Sequence, residues 1–157
     1  MKFVNYRPSV IIFYDRQGDI LLQEISLLAV SADDAIAALG NEVNDKRDEI
    51  LREGLLIGSP LKNGVVAEFE MSKKMFTYFF RKAGISKIWP PRTALCVPVD
   101  MTEVETRAWV DLMYSVGAKP KKLLMIEAAY PEAIPHIPNH YTLVIEISPT
   151  PSDAGVL

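Results

Sequence analysis

Apolar positions along the chain fall into short runs divided by Pro, Gly and Asp. Ser9–Tyr14 is β-branched and aromatic, follows Pro8 and stops at Asp15-Arg16-Gln17-Gly18, which predicts a strand and a turn. Ile20-Leu21-Leu22 and the run from Ile25 to Val30 predict a hairpin partner, whose last residues fit strand or helix equally. Ser31-Ala32-Asp33-Asp34 has the spacing of a helix start, with Ala35–Leu39 continuing it and Gly40 stopping it. Glu42–Glu53 carries eight charges of both signs in twelve residues, the pattern of a solvated helix or loop face. Pro60–Gly64 is a turn. A helix is expected from about Ser72, its cap, with Met75, Phe76, Phe79 and Phe80 on one core-facing side and Gly84 as the stop.

The second half alternates more clearly. Thr93–Val99 is a continuous apolar run, as expected of a strand buried on both faces, with Pro98 at its end. Thr102-Glu103-Val104-Glu105 reads as a capping box. The helix it opens should bury Val104, Ala108, Trp109, Leu112, Met113 and Val116 and end at Gly117. Lys121–Glu127 is strand-like, Ala128–Ile134 is a short helix containing Pro131, and Tyr141–Ile147 is a last strand. Residues 148–157 read as a tail. The order predicts an α/β fold, a mixed sheet with flanking helices.

Composition narrows function only by exclusion. The 157 residues suit one domain. Seventeen basic against 20 acidic residues give a net charge of −3, which argues against a nucleic-acid partner. The single cysteine, Cys96, allows no internal disulfide. No apolar run approaches 18 residues, and Met1–Pro8 lacks a signal-peptide core, so the expected address is the cytoplasm.

Chemistry-bearing motifs are scarce. There is no Walker loop, no dinucleotide fingerprint and no zinc-type spacing. His136 and His140 are four apart, but Pro138 between them breaks the helix that would align them, so no metal site is expected. Cys96, between Leu95 and Val97, reads as a buried, inert thiol. Glu127 and Glu146 end two predicted strands, where ligands of open α/β sheets gather, although a carboxylate there also simply marks a strand emerging into solvent.

Several segments taken together resemble the MreB family of bacterial actin homologues. They are Pro8–Ile12, Gly40-Asn41-Glu42-Val43, Pro60–Phe69, Lys74-Met75, Pro91–Val99, Thr102–Ala108, Gly117-Ala118, Leu124–Glu127, Ala133-Ile134 and Val144–Ile147. The resemblance implies a ribonuclease H-like, actin-like ATPase domain, a single domain over 1–157 with a small inserted subdomain at about 26–60. It also implies losses. The family's opening Asp-Leu-Gly-Thr loop has no counterpart here. Its second phosphate loop, Asp-Ile-Gly-Gly-Gly-Thr, corresponds to Glu146-Ile147-Ser148-Pro149-Thr150-Pro151, without the glycines whose backbone must approach phosphate. Its Ile-Glu-Glu-Pro stretch corresponds to Ile126-Glu127-Ala128-Ala129, so Ala128 replaces the carboxylate that positions the attacking water.

These departures imply a non-catalytic actin-like protein with no cofactor and no metal, working through protein partners: itself, or a filament-forming actin homologue. The alternative is an ATPase fragment that binds ATP and magnesium weakly or completes its site with another chain. A third reading is a folded product without a selected role. Met1–Tyr6 is too short for the amphipathic segment by which many family members attach to membranes, so no autonomous membrane binding is expected. In the family this sheet holds two opening strands absent here, which would leave Ser9–Tyr14 and Thr93–Val99 facing a gap. Tyr141–Ile147 is the best candidate to fill it, from the same chain or from a neighbour.

Overall fold

The structure, a computed structural model, describes residues 7–149. β1 (Ser9–Tyr14) buries every second side chain, placing Ile11 and Phe13 in the core. It turns through Asp15–Asp19 into β2 (Ile20–Ile25), with which it pairs antiparallel. β3 (Leu28–Val30) and β4 (Ile36–Leu39) follow, then α1 (Asn41–Asp45), α2 (Arg47–Arg52) and β5 (Leu56–Gly58). β6 (Leu61–Lys62) and β7 (Val65–Val66) form a hairpin whose turn, Asn63-Gly64, has both residues at positive φ. The rest of the chain runs α3 (Phe69–Lys82), β8 (Thr93–Cys96), α4 (Glu103–Ser115), β9 (Leu123–Ile126), α5 (Tyr130–Ala133) and β10 (Leu143–Pro149).

The main sheet has five strands in the order β2-β1-β10-β8-β9. β10 lies between β1, to which it is antiparallel, and β8, to which it is parallel. The last strand of the chain thus occupies the centre of its own sheet and closes the gap expected between Ser9–Tyr14 and Thr93–Val99. It also runs two residues further than expected: Ser148 and Pro149, read as the start of a tail, pair with Val10 and Ser9.

One face of the sheet carries α3 and α4. Phe76 meets Trp109 edge-on, with ring centroids 5.5 Å apart, and Phe13 meets Phe80 at 5.3 Å. Phe79 and Trp109 are fully buried, as the sequence pattern required. The opposite face carries a smaller cluster of Ala94, Cys96, Ala133, Ile137, Tyr141 and Val144. A second, three-stranded sheet, β4-β3-β5, packs on α1 and α2 over Leu27, Ala29, Val43 and Ile50. β3 serves both bodies, sending Leu28 and Val30 into the main core and Ala29 into the small one.

Three local expectations are corrected. Ser31–Leu39 is not a helix: Ser31 and Ala35 close a hairpin turn, with Asp34 at φ 62°, and Ile36–Leu39 is β4. Short polar side chains that bond nearby backbone serve turns as well as helix caps, so the pattern is ambiguous until a partner strand decides it. Ser72 is not a cap, since α3 begins at Phe69 and Ser72 is buried within it, donating to the Pro60 carbonyl at 3.4 Å. Val104 is exposed rather than buried, and Ala108 is only half-buried, so the buried side of α4 is Trp109, Leu112, Met113 and Val116.

Candidate functional site

β8, β9 and β10 run parallel, so their carboxyl ends lie along one side of the sheet. β10 sets Glu146 level with Cys96 on β8 and Ile12 on β1. Glu146 is therefore inside its strand and does not end it, contrary to expectation. Its half-buried carboxylate accepts a long hydrogen bond, 3.4 Å, from the Tyr14 hydroxyl, and Tyr14 stacks on Tyr130 with centroids 4.0 Å apart. Burial first, then the Glu146 carboxylate, pushes the Tyr14 phenol up to about 12. The same two causes, in the same order, push the Cys96 thiol up to about 12. Both groups keep their protons at neutral pH, so Cys96 is no nucleophile there.

Glu127 does lie just past its strand, exposed, but on the α4 side of the sheet. It lines a shallow cavity of about 550 Å³ with Met101, Arg107, Asp111 and Tyr114. Strand alternation places Glu146 on the other face with Val144, so the two carboxylates do not form an acid-base pair. Ala128 packs beside Tyr130 against the smaller cluster. Ser148 is half-buried and Pro149 exposed, both within the β1–β10 ladder. The structure brings together Glu146, Ala128, Tyr14 and Cys96, and leaves Glu127 apart. Among the described residues, no three His, Cys, Asp or Glu side chains gather as a metal site.

Two features escaped the sequence reading. Glu24 is a buried carboxylate on β2, 2.5 Å from Lys82 Nζ and accepting from the Asn41 backbone N–H at 2.7 Å. Its only sequence signal was an acid set between Leu22 and Ile25. Ile88 and Trp89 are 82% and 83% exposed on the loop before β8. Ser86 Oγ accepts from both of their backbone N–H groups at 3.2 Å, and Lys122 reaches Pro90 O at 3.3 Å. A Trp beside two prolines was legible as a turn but not as a presented apolar tip.

Comparison with known proteins adds the following. The profile of the MreB/Mbl protein family matches residues 8–157. The cell shape-determining protein MreB of Haemophilus influenzae is 32% identical over 133 residues, covering 80% of this chain and 37% of that protein. MreB of Escherichia coli K12 is 30% identical over the same coverage. The cell shape-determining protein Mbl of Bacillus cereus is 31% identical over 64% of this chain. The crystal structure of MreB5 of Spiroplasma citri bound to ADP shares the fold, with a TM-score of 0.63 and 21% identity over 83% of this chain and 38% of that one. The chain thus spans somewhat over a third of the length of the MreB proteins it matches. Among the described residues, no helix is long and apolar enough to cross a membrane.

Proposed function

The chain belongs to the MreB/Mbl family of cell shape-determining, actin-like proteins, and from that premise we propose that it is a non-catalytic member that acts by binding other proteins. The observation that supports this most is the course of β10. Where the family carries its second phosphate loop, Glu146–Pro149 run in a ladder with Ile12–Ser9. A backbone held in a ladder does not wrap a phosphate, and Pro149 has no amide hydrogen to offer one. Ala128, at the position of the family's water-positioning carboxylate, has no group that orients a nucleophile. Partners are then further copies of the chain or a filament-forming actin homologue.

A phosphate-release assay on the purified chain with magnesium and ATP should read at the buffer background. A rate that survives rigorous purification and vanishes in Glu127→Ala or Glu146→Ala would overturn the proposal. Saturable ATP binding without turnover would favour the alternative, a fragment that holds nucleotide weakly or completes its site with another chain.

Ile88 and Trp89 favour a second reading, contact with a lipid surface. Two adjacent large apolar side chains stand clear of the fold beside Lys87, Arg92 and Lys122, a combination suited to an anionic interface. Met1–Tyr6, whose shortness is the ground for expecting no autonomous membrane binding, lie outside the described residues. Co-sedimentation with anionic vesicles, lost in Trp89→Ser, would support membrane contact. No retention at low salt would end it.

A further inference from the structure

Several helix cations of this chain have a carboxylate partner: Lys46 meets Glu42, Lys82 meets Glu24 and Arg107 meets Asp111. Lys73, Lys74 and Arg81 on α3 do not. Among the described residues no ion pair or side-chain hydrogen bond involves them, although Glu70 lies a single turn from both lysines. All three, with Glu70, line a groove of about 550 Å³ between α3 and β4. Lys73, Thr77 and Arg81 fall four apart, so the cations follow the groove along α3 for about 12 Å.

The floor of this groove is apolar. The register shift between β3 and β4 passes over Ala37, so Leu39 and Ile36 stand opposite Leu28 and Val30 and turn with them toward the main core. Ile36, Leu39 and Tyr78 pack against that core yet stay only half-buried. Among the described residues no strand pairs with β4 on its outer side.

Shape and charge together select the occupant. A planar lipid surface does not reach Ile36 and Leu39 at the bottom of a concave groove. A small anion meets one cation and leaves the others and the floor uncovered. A peptide segment with carboxylates spaced by apolar side chains satisfies both, its acids against Lys73, Lys74 and Arg81 and its apolar groups over Ile36, Leu39 and Tyr78. We propose that the groove between α3 and β4 docks an acidic, apolar-bearing peptide segment of a partner protein. This gives the interaction reading above a surface and a partner chemistry, and rests on that reading.

Fluorescence anisotropy of a short labelled peptide of alternating Glu and Leu, titrated with the full chain, tests it. The expected result is saturable binding that weakens with salt. Lys74→Glu and Arg81→Glu should each weaken it about tenfold, whereas Lys119→Glu, a reversal outside the groove, should not. All three side chains are exposed, so the variants should melt like the parent, as circular dichroism would verify. A peptide of alternating Glu and Ser should bind about tenfold more weakly, because it leaves the floor uncovered. No binding by the parent, binding indifferent to both groove reversals, or equal binding of the Glu-Ser peptide would each overturn the proposal. So would self-association of the full chain that is lost in the same two variants, since a second copy would then be the occupant. Absent peptide binding together with absent phosphate release would remove the groove and leave the non-catalytic reading standing.

Discussion

Glu24 holds three parts of the molecule at one point: its own strand β2, the first turn of α1 through Asn41, and the end of α3 through Lys82. Gly40 beside it has φ 64°, and a Cβ there would lie 2.2 Å from Glu24 Oε2, so the close approach requires glycine. Lys82 keeps about half of its side-chain exposure and rehydrates if the pair is broken. The Asn41 N–H loses its acceptor at the part-buried start of α1. Glu24→Ala should therefore cost about 1–3 kcal/mol, the scale of an orphaned polar group, read as a fall in the urea midpoint. Cys96 and Tyr14 make a second prediction at this scale. Each holds its proton more tightly folded than unfolded, so between about pH 9 and 12 the folded state binds more protons. Stability should fall as pH rises through that window. Cys96→Ala should flatten the lower part of the decline in melting temperature; an unchanged slope would count against the cause given.

Among the elements, β10 matters most. It bonds strands on both sides and sends Leu143, Ile145 and Ile147 into the main core and Val144 into the smaller one. A chain ending at Asn139 would leave β1 and β8 with unpaired backbone and an apolar slot between them. It should aggregate or lose cooperative unfolding, whereas a soluble truncation melting as before would contradict this. α4 has a milder dependence. Thr102 and Glu105 form a complete capping box, with bonds of 3.2 and 2.9 Å. Thr102→Ala should destabilise by about 1 kcal/mol without changing the fold, measured by chemical denaturation.

Over the whole molecule, stability should be uneven. The main cluster joins β1, β8, β10, α3 and α4, while the small sheet rests on a handful of side chains. Hydrogen exchange should be slowest in β1, β10 and β8, the three inner strands, and faster in β4 and β5, which edge the small sheet. Equal protection in both sheets would mean that β3, which packs into both clusters, couples them into one cooperative unit.

What the sequence determined by itself were the features carried by local patterning. The Phe76–Phe79–Phe80 face of α3, the capping box of α4, the Asn63-Gly64 turn and the doubly buried β8 each follow from spacing within a few residues. Family membership was legible too, because the matching segments keep one order along the chain. Tertiary structure decided the rest. Whether Ser31–Leu39 bends as helix or hairpin depends on β3 lying alongside it. Whether Glu24 is buried depends on α1 and α3 converging on it. Glu127 and Glu146 look alike as strand-end acids, but pleat direction sends them to opposite faces. The central place of β10, 130 to 140 residues in sequence from its partners in β1, is set by the backbone groups of β1 and β8 that it satisfies, and a linear pattern does not record which distant strand will satisfy them.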